Sequence, residues 1–325
     1  LVFICDVVGV FMKRMFEVLR ADVLATTPVQ LLQMIRHSEG RTLMAETVVS
    51  CQPFSEGVSN PELAASFGAD MITLNTFDLG QPFVEGLYDE AVDDDACLAT
   101  RYEQHASFIR QQASLNRVVQ DLKQVSSRFI GCNLEPVPQD IKYPAGFRVS
   151  ADNIKQAVAL GLDYVVITGN PNTMITEEGI IDAIRMAKAV ADNQLLIIAG
   201  KMHGAGTGTE VAAEVLLKYC QAGADIIMIP APYTTPGMTP ETAKALIEVI
   251  HGAGKLALCA MGTSQEGADR TVVEQIALNS KVAGADIIHI GDAGFAGIAD
   301  PENIKYCSIA IRGKRHTYRR IGLRR

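Results

Sequence analysis

Four ionisable side chains interrupt or end apolar runs: Glu46 in TLMAETVV, Glu135 after IGCNL, Lys201 after LLIIAG and His289 in DIIHIG. A polar group in such a place is costly unless it is paired or used. A desolvated Lys201 near carboxylates could form a Schiff base with a carbonyl or work as an acid and base. Lys201-Met202-His203 sets two functional groups at i and i+2, which point the same way if the strand continues. With Lys201, the groups expected to do catalysis are His203, Glu135 and Glu46, which would move protons. Glu46, Glu135 and His289 could instead ligate a divalent metal, Mg or Zn. The structural alternative for Lys201 is an ion pair with one Glu that braces the fold.

Polar and glycine-rich segments suited to an anion accompany these groups. Gly262-Thr263-Ser264-Gln265-Glu266-Gly267 and Gly291-Asp292-Ala293-Gly294 offer backbone N–H groups of the kind that hold phosphate. The substrate or phosphate contacts read from them are Gly262, Thr263, Ser264, Gly291, Asp292 and Gly294, joined by Asn75 and by Asn170 in Thr168-Gly169-Asn170-Pro171. Gly204-Ala205-Gly206-Thr207-Gly208-Thr209 is flexible enough to close over a ligand. The competing reading of every one of these glycines is a tight turn. No P-loop, nucleophile-elbow or zinc-protease motif occurs, and no nucleotide cofactor is indicated. His37, His105 and His251 fall on helical patterns and read as structural.

The elements that must position these groups follow from a repeated phrase. Gly68-Ala69-Asp70-Met71-Ile72, Gly223-Ala224-Asp225-Ile226-Ile227 and Gly284-Ala285-Asp286-Ile287-Ile288 are near copies, and Gly161-Leu162-Asp163-Tyr164-Val165 is a variant. In each, the Gly ends a helix in the left-handed conformation and the chain then enters a β-branched run. Around them lie eight candidate strands, at 42–49, 70–75, 129–135, 163–169, 195–200, 225–230, 256–261 and 286–291. They lack clean alternation, as strands buried on both faces of a parallel sheet do. Strand and helix alternating eight times predict an α/β protein built as a (β/α)8 barrel, and 325 residues accommodate one. In that fold the working residues sit at the C-terminal ends of strands, where all the groups named above fall.

The expected organisation is an N-terminal extension and helix over 1–40, the barrel over 41–311 and a basic tail over 312–325. Thr27-Pro28-Val29-Gln30 starts a helix by a capping box and runs to about His37, where it would close the bottom of the barrel. Residues 1–11 precede Met12-Lys13-Arg14 and are read as sequence upstream of a natural start, with a hydrophobic staple as the alternative. Between the second and third strands, 76–128 predicts a two-helix insertion, at 97–113 and 115–125, that would be a lid or a solvated elaboration.

The net charge is −8, and seven of the 29 basic residues lie from Arg312 onwards with no acid among them. The remaining 22 positive charges face 37 acids, so the body carries −15 and is a poor nucleic-acid binder. Seven scattered cysteines without a C-x-x-C exclude a disulfide framework or zinc ribbon and point to a reducing cytoplasm. No apolar run reaches the ~18 residues of a membrane span. The expected partners are a small anionic metabolite and a second copy of the chain in a homo-oligomer; docking of the tail on its own barrel is the alternative to its touching a partner.

Several segments taken together carry a family resemblance: Ser38-Glu39-Gly40-Arg41-Thr42, Gly57-Val58-Ser59-Asn60, Asn133-Leu134-Glu135-Pro136, Thr168-Gly169-Asn170-Pro171 and Ala199-Gly200-Lys201-Met202-His203-Gly204. Gly262-Thr263-Ser264-Gln265-Glu266-Gly267-Ala268, His289-Ile290-Gly291-Asp292-Ala293-Gly294 and Ile311-Arg312-Gly313-Lys314-Arg315-His316-Thr317-Tyr318 complete the set. The sequence resembles a family of bacterial TIM-barrel proteins often labelled haloacid dehalogenase-like hydrolases, from about Leu31 to Tyr318 except 76–128. The resemblance implies a TIM barrel with its site at the strand ends. The label implies an Asp-x-Asp after a first buried strand, for which Asp93–Asp95 is the candidate.

The leading expectation is an enzyme acting on a small anionic, phosphorylated metabolite by lyase or isomerase chemistry at a carbonyl. Metal-assisted hydrolysis is the nearest alternative. A non-catalytic ligand-binding or regulatory barrel is the alternative from another class.

Overall fold

The computed structural model describes residues 12–90, 96–169, 173–201 and 211–323. Eight parallel strands close into a barrel in sequence order: β1 (Thr42–Val48), β2 (Met71–Asn75), β3 (Phe129–Leu134), β4 (Tyr164–Ile167), β5 (Leu196–Gly200), β6 (Ile226–Pro230), β7 (Leu256–Met261) and β8 (Ile287–Ile290), with β8 pairing back onto β1. Before the barrel lie α1 (Arg20–Ala25) and α2 (Pro28–His37). The outer helices are α3 (Asn60–Ser66), α4 (Leu98–Ser114), α5 (Val118–Ser126), α6 (Ala151–Leu160), α7 (Glu177–Ala191), α8 (Ala213–Ala222), α9 (Pro240–Gly252), α10 (Arg270–Ala283) and α11 (Pro301–Gly322).

The capping box read at Thr27 forms. Gln30 N–H donates to Thr27 Oγ1, and Thr27 N–H donates to Gln30 Oε1. The N-terminal segment then plugs the bottom of the barrel: Met15, Val18, Val23, Leu31 and Ile35 share one buried cluster with the lumen residues Met44, Met71 and Phe129. Higher in the lumen the Tyr164 hydroxyl meets Thr73 Oγ1 at 3.0 Å. The Tyr164 ring occupies the space a side chain at Gly131 would take, so β3 needs glycine there.

The repeated Gly-Ala-Asp phrase has a structural meaning. Each Asp immediately precedes an even-numbered strand, and its Oδ2 accepts the N–H of the second residue of the odd-numbered strand before it. The pairs are Asp70 with Leu43 (2.9 Å), Asp163 with Ile130 (2.8 Å), Asp225 with Ile197 (2.9 Å) and Asp286 with Ala257 (2.8 Å). The Asp N–H returns a bond to the same residue's carbonyl in all four cases. Each carboxylate also meets a basic side chain: Arg312 and Arg320 on Asp70, Lys123 on Asp163, Lys188 on Asp225 and His251 on Asp286.

Two expectations are refined. Both helices expected after β2 form, as α4 and α5; α4 is the added element, while α5 packs against α3, α6 and β3 as a regular member of the helical ring. The apolar face of α5 buries Val118, Val119 and Leu122, whereas α4 buries only Ala113. Residues 312–325 are likewise no separate tail. As far as Gly322 they belong to α11, which passes through a non-helical Gly313 and docks on the base of the barrel. Arg312 and Arg320 are buried there, both on Asp70, while Lys314, Arg315 and Arg319 face solvent. Residues 1–11 and Asp93–Asp95 lie outside the described residues.

Candidate functional site

The C-terminal ends of β3, β1 and β8 bring three polar side chains into one buried chain. Asn133 Nδ2 donates to Glu46 Oε1 at 2.6 Å, and Glu46 Oε2 meets His289 Nε2 at 3.0 Å. The Glu46 and His289 side chains are each 3% exposed. Strand register explains the meeting. Met44, Ile287 and Phe129 line the lumen, and the residues two or four positions on, Glu46, His289 and Asn133, point the same way. His289 Nδ1 and Asn133 Oδ1 are buried without a hydrogen-bond partner among the described residues.

A second cluster adjoins the first. Asn75 at the end of β2 donates from Nδ2 to Asp292 Oδ2 at 2.8 Å. Burial, with Glu46 and Glu266 nearby, pushes the Asp292 carboxyl up from its ordinary 3.8 to about 6, against the opposing pull of Asn75 and His289. Glu266, in the short helical turn after β7, is 1% exposed and is also pushed upward, chiefly by burial. Its Oε2 has no hydrogen-bond partner among the described residues. Its Oε1 lies where a side chain on Gly291 would be, so glycine at 291 makes room for this carboxyl.

The remaining expected residues fall elsewhere. Glu135 follows β3 but is engaged by its own loop: Tyr143 Oη donates to its Oε1 at 2.7 Å, and its backbone pairs with Phe147 and Val149. Glu46, Glu135 and His289 therefore do not meet as one ligand set. Among the described residues no three His, Cys, Asp or Glu side chains could hold a metal ion. Lys201 follows β5, half-buried. The strand stops at Gly200, where a side chain would strike the Met228 carbonyl, and the expected alignment of Lys201 with His203 lies outside the described residues. His203, Asn170 and 204–209 lie outside the described residues.

The two loops expected to cradle phosphate use several of their amides internally. Gly291 N–H donates to Met261 O at 2.8 Å, Gly294 N–H to Asp292 O at 2.8 Å and Gly267 N–H to Ser264 O at 3.2 Å. Thr263 Oγ1 donates to Thr234 O at 2.5 Å, Gly262 is half-buried, and Ser264 sits exposed with a φ of 74°. The group these loops enclose is the Glu266 carboxyl.

The site's electrostatics set a pH dependence. Because folding raises the Asp292 pKa, the native state keeps a proton that the unfolded chain loses between pH 3.8 and about 6. Stability therefore falls as pH rises through that window and stays lower above it. Asp292→Asn removes the penalty. Allowing for partial exposure, the variant is expected to be about 1–2 kcal/mol more stable than wild type at pH 7.5 and equal to it at pH 3.5. Denaturant unfolding at the two pH values checks this; an identical difference at both would refute it.

A closed eight-stranded α/β barrel with ionisable groups buried at the C-terminal mouth belongs to the TIM-barrel class. Within it, the chain belongs to the family described as "Domain of unknown function (DUF7916)", whose sequence profile matches residues 16–325. The haloacid dehalogenase label has no support: β1 reads TLMAETV, with no Asp-x-Asp at its end. No curated protein matches the chain. Similar solved structures include a variant carboxyl transferase domain of Rhizobium etli pyruvate carboxylase with pyruvate, at TM-score 0.52 and 14% identity over 93% of this chain and 52% of that one. This chain thus spans about half of that domain's length. Others are thiamine phosphate pyrophosphorylase from Pyrococcus furiosus (TM-score 0.44, 15% identity, 84% and 96% covered) and 2,3-dimethylmalate lyase, a PEP mutase/isocitrate lyase superfamily member (0.48, 16%, 82% and 81%). At such identities the likeness is one of fold. Among the described residues no helix is long and apolar enough to cross a membrane.

Proposed function

We propose that the protein is an enzyme that moves protons on a small hydroxy or keto acid held in the barrel mouth, in lyase or isomerase chemistry. The observation that carries this reading is the buried Asn133–Glu46–His289 chain. Burying a carboxylate and an imidazole together takes both out of water, which a structural core does more cheaply with apolar side chains. Held at 3.0 Å, the pair can share a proton between Oε2 and Nε2, while Asn133 fixes the carboxylate's orientation.

Lys201 supplies the counter-charge for the substrate's acid group. It stands after β5, half the ring away from β1, and makes no ion pair among the described residues. A carboxylate suits the mouth better than a phosphate does. The loops beside β7 and β8 present the Glu266 acid where a phosphate would need donors.

The experiment is a thermal-shift screen against hydroxy acids, keto acids, phosphorylated sugars and divalent metals, with and without chelator. A ligand that binds the native state raises the melting temperature by mass action. Hydroxy or keto acids are expected to give the shift, and Lys201→Met to lose it along with turnover while keeping the fold. A response to phosphorylated sugars alone would restore the phosphate reading. A response to metal alone would favour metal-assisted hydrolysis, and silence throughout a non-catalytic barrel.

A further inference from the structure

We propose that Asp292 is the acid that protonates a leaving hydroxyl of the substrate, and that Asn75 is the residue that positions it. This rests on the acid–base reading of the mouth and adds the second proton-handling group that the reading lacks.

The loop after β8 is built to hold Asp292 still. Behind it, Ala296 O accepts from Asn60 Nδ2 at 2.6 Å and from Cys51 Sγ at 3.0 Å, and Ile298 bridges to Thr47 of β1. Gly294 packs so tightly on the Ile298 carbonyl that no side chain fits. In front, the Asn75 amide is locked: its Oδ1 accepts Thr76 N–H at 2.9 Å, so its Nδ2 must be the group aimed at Asp292. Thr76 adopts a left-handed φ of 55° to offer that N–H, a conformation unusual for a β-branched residue. Asn75 occupies Oδ2, and Oδ1 takes no hydrogen bond among the described residues, so it can carry a proton.

Two of the mouth's carboxyl groups are thus dressed differently. Each takes an amide N–H, but Glu46 also has an imidazole against it, whereas Asp292 has two further acids, Glu46 and Glu266, nearby and burial raising its affinity for a proton. Such divergence separates an acid from a base at one site. Together they define an elimination of water from a hydroxy acid. The C–H bond next to the carbonyl or carboxylate breaks; its proton passes to the Glu46–His289 pair and its electrons form the C=C bond. The C–O bond on the neighbouring carbon breaks with its electrons on oxygen, which takes the Asp292 proton and leaves as water. Both groups then regain their starting protonation by exchange with solvent.

The test uses the full chain with malate and citrate as probes in deuterated water, followed by proton NMR. Deuterium entering at carbon reports the base, and alkene formation reports the acid. Asp292→Asn is expected to keep deuterium entry within about threefold of wild type while alkene formation falls by 100-fold or more. In Asn75→Ala the alkaline limb of the pH profile is expected to move to higher pH, because the lost amide had favoured the ionised form. Carbon-13 labelling of aspartate should show one carboxyl titrating near pH 6 that vanishes in Asp292→Asn. The absence of that carboxyl, equal loss of both reactions, loss of neither, or an unmoved limb would each overturn the assignment. Failure of the underlying reading looks different: Glu46→Gln would then leave deuterium entry intact.

Discussion

Asp70→Ala is expected to cost about 3–5 kcal/mol of stability, the largest single-residue loss outside the apolar core. Asp70 is fully buried and receives Arg312 Nη1 at 2.5 Å, Arg320 Nε at 2.8 Å and the Leu43 N–H. Both ion pairs are 0% exposed, so neither guanidinium has water to turn to when the carboxylate is removed. Arg128 lies buried in the same region and spends donors on the carbonyls of Ala65, Ser126, Ser127 and Arg320, so it cannot substitute. The damage would spread, because Arg320 also donates to Val18 O and Ser127 O and thereby ties α11 to the N-terminal plug. Removing one partner of a buried charge cluster leaves the others uncompensated, which is worse than replacing the whole group by apolar residues. Thermal or urea unfolding measures it; a loss below about 1 kcal/mol would show that water reaches the cluster. The same geometry rules out deletion from Arg312 onward as a clean test of the basic residues. Substituting the exposed Lys314 and Arg315 tests partner contact without disturbing the base of the barrel, whereas Arg319 pairs with Glu17 of the plug.

Turnover in Glu46→Gln is expected to fall by about 10²–10⁴, the range for losing a positioned proton-transfer group. Glutamine keeps the volume and can still accept from Asn133, but it cannot take up a proton from His289 Nε2. His289→Ala should cause a similar fall, and the double variant hardly more, since two residues that act as one unit lose their function once. Kinetics on whichever acid the thermal screen identifies provide the check. Multiplicative losses in the double variant would mean that Glu46 and His289 act separately.

The barrel was legible because each strand announces itself locally. Gly161, Gly223 and Gly284 each end a helix at positive φ, and the apolar run follows within two residues. Glu46 and His289 were legible for a related reason, as polar residues in strands with no solvated face. What could not be read was partnership across the chain. Glu46 and His289 are 243 positions apart, and only the closure of β8 onto β1 brings them together. Asn133 falls near the end of the candidate strand 129–135, yet its bond to Glu46 depends on register. Glu266 shares its glycine-rich turn with Thr263, Ser264 and Gln265, and nothing in Gly-Thr-Ser-Gln-Glu-Gly says which side chain folds inward. Docking of 312–325 on its own barrel is open in the sequence, but the partner of Arg312 and Arg320 is not, because charge counting does not say that a buried acid such as Asp70 faces them. The signal that could have revealed it was the repeated phrase itself, whose Asp recurs at the same place in four units.

Those four aspartates divide the ring unequally. β1 with β2, β3 with β4, β5 with β6 and β7 with β8 are each clasped at one end by a side chain as well as by backbone. Across three of the seams between these pairs, at the same end, Phe129, Leu196 and Leu256 donate their N–H groups to the backbone carbonyls of Asp70, Asp163 and Asp225. Each odd-numbered strand is therefore fixed to the even-numbered one after it by an aspartate clasp in addition to the backbone ladder. The amides of Leu43, Ile130, Ile197 and Ala257, each held by such a carboxylate, are expected to be among the slowest in the barrel to trade their protons for deuterium.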